Sequence, residues 1–62
     1  MKFLTQYLYE KIWHKVSEDD VIKLLEEEFA QGDALGTLLY IKSVCAHGKT
    51  ITVGESRFKE DR

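Results

Sequence analysis

The sequence predicts a mainly α fold, a three-helix domain closed by a short C-terminal β-strand or hairpin. Three observations carry that expectation. Leu35 to Ala46 is the most apolar run of the chain, with Lys42 as its only charge. Its apolar positions lie almost all round a helical wheel, the pattern of a helix buried on several sides. Ahead of it, Val21, Leu24, Leu25 and Phe29 recur at helical spacing behind Ser-Glu-Asp-Asp, a helix-start signal. There is no proline, and the four glycines are spaced as punctuation between segments.

Residues 3–16 read as the first helix, because Leu8, Ile12 and Val16 fall at i, i+4 and i+8. Tyr9 and Trp13 widen this stripe, and Phe3 and Tyr7 lie across the helix from Tyr9. That is more large side chain than one packing face uses. Either the helix is wedged between neighbours with its tyrosine hydroxyls in water, or one aromatic side meets a partner. The second helix covers 18–31. Ser17 caps it, Asp20 reaches back to close a capping box, Glu26 and Glu27 cover its outside, and Gly32 is the C-cap. The third helix covers 34–46, with Asp33 as its cap and His47-Gly48 as its stop. Lys49 to Val53 alternates, with β-branched residues at four of five positions, and reads as a strand over 49–53. Gly54 allows a turn, after which 55–58 either returns as a second strand or frays.

Sixty-two residues make one domain, 1–62. A chain of this length buries only about 60% of its unfolded surface and gains from a supplement to its core. A single cysteine excludes an internal disulfide and points to a reducing, cytoplasmic setting. No zinc pattern occurs, which leaves self-association as the supplement still open. The N-terminal residues lack the features of a secretion signal, and no stretch approaches the roughly 20 apolar residues that cross a bilayer. The net charge of −2 is unevenly spread: residues 1–16 carry +2, 17–33 carry −6 and 34–59 carry +3. An acidic balance weighs against nucleic acid as a partner unless a local basic face overrules it.

No nucleophile elbow, paired-cysteine, zinc-protease or phosphate-loop motif is present. Cys45 and His47, two apart on a helix, point to different faces. A metal site from Cys45, His47 and His14 lacks a fourth ligand, and Glu26 to Glu28 lack the oxygen-rich loop that calcium needs. The expectation is therefore no catalytic residue, no metal and no cofactor.

The functional expectation is a non-catalytic protein-binding module, a small adaptor or inhibitor acting as a homodimer or on a larger protein. Phe3, Tyr7, Tyr9 and Trp13 would supply affinity, and the acidic Glu26 and Glu27 would supply speed and selectivity. A membrane role is not expected. The alternative from another class is a small helix-turn-helix DNA-binding transcription regulator built on the second and third helices. Against it, that register puts Lys42 at an apolar anchor position and Leu38, Leu39 and Tyr40 where base-reading polar residues belong.

Overall fold

The computed structural model describes residues 1–30 and 32–61. The chain is α+β, with β1 (Phe3–Tyr7), β2 (His14–Val16), α1 (Glu18–Glu28), α2 (Ala34–Ala46), β3 (Ile51–Val53) and β4 (Ser56–Glu60). The strands form one antiparallel sheet in the order β2-β1-β4-β3. Both helices pack on one face of it, around Phe3, Val21, Leu25, Leu38, Ile41, Cys45 and Phe58.

The mainly α, three-helix expectation fails at the first element. Residues 3–16 form a β-hairpin, not a helix. The i, i+4, i+8 spacing was coincidence: Leu8 and Ile12 sit in the connecting loop, 45% and 66% exposed, and only Val16 packs on the core. The deciding factor is a long-range partner. β4 pairs with β1 along its whole length, from Phe3↔Glu60 to Tyr7↔Ser56. The C-terminal strands would have no mate if residues 3–7 were helical, and unpaired strand edges are unfavourable. Phe, Thr and Tyr in alternation also suit a half-buried pleated surface.

α1 begins as expected. The Ser17 Oγ accepts from the Asp20 N–H at 3.1 Å, and the Asp20 carboxylate accepts from the Ser17 N–H at 3.0 Å. It ends earlier than expected, at Glu28, with Phe29 rather than Gly32 as its C-cap. The expected last residue, Gln31, lies outside the described residues. α2 matches its expected bounds. The Asp33 Oδ1 accepts from the Gly36 N–H at 2.9 Å, and Gly48 leaves the helix at φ 77°.

The idea that α2 is buried on several sides needs correction. Leu38, Ile41 and Cys45 face the core, while Leu35, Leu39 and Tyr40 are 60%, 58% and 62% exposed. In a two-layer fold a helix meets the sheet below and its neighbour beside it. Nothing among the described residues covers the third side.

The C-terminal β segment is a hairpin, its strands Ile51–Val53 and Ser56–Glu60 in place of the expected 49–53 and 55–58. Val53 pairs with Ser56 across a two-residue turn whose first residue, Gly54, has φ 60°. Glycine at that place is what a tight primed turn requires. A Cβ there would also collide with the Glu28 carboxylate, whose Oε1 accepts from the Glu55 N–H at 2.8 Å. That hydrogen bond ties the end of α1 to the turn.

Candidate interaction surfaces

Strand register sorts the side chains into two faces. Phe3, Thr5 and Tyr7, with their partners Val16, His14, Phe58 and Ser56, lie on the helix-covered face. Leu4 and Gln6 lie on the open face. There Leu4 is flanked by Lys15 on β2 and Lys59 on β4, and Gln6 is paired with Arg57, which pairs in turn with Thr52. Among the described residues, the strand positions of this open face carry three cations, Lys15, Arg57 and Lys59, and no acid. Trp13 also belongs here: the Lys59 Nζ lies 4.2 Å from its ring centroid, a cation–π distance. The Arg57 guanidinium donates to the Gln6 Oε1 at 3.1 Å, satisfying a nearly buried amide.

The six residues named from sequence do not gather into one surface. Phe3 is 0% exposed and belongs to the core. Tyr7 is half-buried, and its ring stacks on Tyr9 with centroids 5.6 Å apart and planes 10° apart. Tyr9, 78% exposed, stands at the tip of the β1–β2 hairpin near exposed Leu8 and Ile12. Trp13 lies instead on the open sheet face, and Glu26 and Glu27 are exposed on α1. The candidate side chains that sequence reasoning missed are Leu35, Leu39 and Tyr40 on α2 and the cations Lys15, Arg57 and Lys59 of the open sheet face. A signal for the first group was present, since a helix with Lys42 as its only charge has no charged side to give to water. The second group had no signal without the sheet register.

The outward face of α2 consists of Leu35, Leu39, Tyr40, Ser43 and Ala46, all exposed, and carries no charge among the described residues. Lys42, at its margin, is held by the Glu18 Oε1 at 3.3 Å. The Met1 ammonium donates to the other oxygen of Glu18 at 2.7 Å. The ammonium hydrogen bond, then Lys42, holds the Glu18 carboxyl below its ordinary range. The Asp20 carboxyl is likewise lowered, by the hydrogen bond it accepts from the Ser17 backbone.

The chemically reactive groups stay apart. Cys45 is buried on the inner face of α2, where burial pushes its thiol pKa up and away from the reactive thiolate. His14 contacts Glu10 at 3.2 Å, and the His47 Nδ1 donates to the Ser43 carbonyl at 2.7 Å. Among the described residues no three His, Cys, Asp or Glu side chains are placed to hold a metal. Among the described residues no helix is long and apolar enough to cross a membrane. Comparison with protein-family models, with curated proteins and with solved structures returns no match.

Proposed function

We propose that this protein is a non-catalytic protein-binding module, and that its protein-binding surface is the outward face of α2. The occupant is a second copy of the chain or a larger protein. One observation carries the reading: Leu35, Leu39 and Tyr40, each about three-fifths exposed, stand on a helix side without a charge. Scattered exposed apolar residues are ordinary, but a contiguous apolar face marks an interaction site. Leu35 and Leu39 are one turn apart, and the small Ser43 and Ala46 continue the same side, allowing a second helix to come close. Self-association would also supplement a core limited by chain length.

The helix-turn-helix alternative loses ground on the same face. Among the described residues, the outward side of α2 offers no Arg, Asn or Gln to read base edges. The test is sedimentation together with melting over a hundredfold range of protein concentration. A melting temperature that rises with concentration, and stops rising in Leu39→Glu, is the expected result for a homodimer. For a larger target, Leu39→Glu removes binding while the free chain stays monomeric. Unchanged association in Leu39→Glu and in Tyr40→Glu would overturn the reading.

A further inference from the structure

We infer that the open face of the sheet is a second site, one that takes single-stranded nucleic acid. Lys15 and Lys59 flank Leu4 on the two neighbouring strands, about 10 Å apart across the sheet. Arg57 stands further along β4, and among the described residues no strand position on this face is acidic. At the margin Lys2 adds a base and Asp61 an acid, both beside Lys15, so the strand cations set the sign of this face. The opposite layer has the reverse sign, since α1 carries six acids against Lys23. The molecule is therefore polarised through its thickness despite a net charge of −2, and a polyanion is steered to the sheet side.

Charge alone would suit any polyanion; Trp13 narrows the choice. It is half-buried, with the Lys59 ammonium 4.2 Å from its ring centroid. An aromatic ring among cations on an open sheet can stack an unpaired base while the cations hold the flanking phosphates. Bases inside a duplex are not available for such stacking. Gln6 fixes the direction of the Arg57 guanidinium through their hydrogen bond, so the face is pre-arranged. This site is separate from α2, and the protein would join a protein partner to a nucleic-acid strand.

The experiment titrates the full chain at low salt with a labelled oligothymidylate, the matching duplex and heparin, reading anisotropy and Trp13 fluorescence. The expected result is quenching of Trp13 by the single strand, with weaker binding to duplex. The logarithm of affinity should fall with the logarithm of salt at a slope of about −2, for three phosphate contacts. Lys15→Glu should weaken binding about tenfold. Trp13→Ala should weaken it tenfold or more, and Trp13→Phe should keep most of it. If Trp13→Ala fails to fold by circular dichroism, quenching in the native chain and the effect of exposed Lys15→Glu decide. Leu39→Glu should leave oligonucleotide binding intact, so failure at α2 and failure at the sheet are distinguishable. Binding without quenching, heparin held as tightly as the oligonucleotide, preference for duplex, or no binding at low salt would each overturn the proposal.

Discussion

α1 and α2 lie side by side on the same sheet and bury similar side chains, Val21 and Leu25 from one and Leu38, Ile41 and Cys45 from the other. Their outward sides differ. α1 shows Asp19, Lys23, Glu26 and Glu27 to water, whereas α2 shows Leu35, Leu39, Tyr40, Ser43 and Ala46. Folding explains the inner sides of both helices and the outer side of α1, since charged residues there keep the surface hydrated. It does not explain the outer side of α2. An apolar outer face adds nothing to the stability of the isolated chain, which is the contrast on which the proposed interface rests.

The largest effect that sharpens this contrast is on the inner side. Ile41→Ala, at a fully buried position, should cost about 2–5 kcal/mol, as a large-to-small core change does. A domain of this size has little more to lose, so the variant should be largely unfolded in a urea titration. Leu39→Ala, two positions earlier but on the outer side, should shift the same monomer titration by less than about 0.5 kcal/mol, as exposed substitutions do. Equal losses at the two positions would erase the distinction between the faces.

Association comes next. If the occupant of the α2 face is a second copy, melting temperature should depend on concentration in the native chain and in Glu27→Ala, but not in Leu39→Glu. A Glu27→Ala variant that dissociated as readily as Leu39→Glu would move the interface to α1.

The helix starts allow a smaller test. Ser17→Ala and Asp33→Ala each remove a side-chain acceptor for a backbone N–H, and each should cost about 1 kcal/mol by chemical denaturation. Ser17→Asp should keep most of that stability because aspartate caps equally well. If Ser17→Ala and Ser17→Asp behaved alike, the Ser17 hydroxyl would contribute little.

The smallest effect is on pH dependence. Glu18 and Asp20 have lowered pKa values in the folded chain, so both bind protons less readily than in the unfolded chain. Their contribution is present above the ordinary carboxylate range, near pH 4, and is lost as pH falls through the lowered values. Asp20→Asn should flatten the acid side of a stability–pH curve. Because Asp20 is exposed and Glu18 only half-buried, solvent screening keeps the change slight. A curve unchanged below pH 4 would show that the capping carboxylate carries no pH-linked stability.

Local signals in the sequence determined several boundaries in the middle and end of this chain, though not the end of α1 or the fate of the tail. The Ser17–Asp20 capping box, the Asp33 cap, the stop at His47-Gly48 and the turn at Gly54 all involve groups within a few residues of one another. They read correctly because their partners are nearby. The first sixteen residues could not be read that way. Whether Phe3 to Tyr7 is helix or strand depends on β4, at the other end of the chain, and a chance spacing of Leu8, Ile12 and Val16 favoured the wrong answer. The candidate surfaces divide along the same line. That residues 35–46 hold a single charge is plain in the sequence, but which of those side chains meet solvent depends on how many layers pack around the helix. Lys15, Trp13, Arg57 and Lys59 share a face only because β1 lies between β2 and β4. Tertiary structure alone decided that, because the sheet register assigns each strand residue to the helix-covered or the open side.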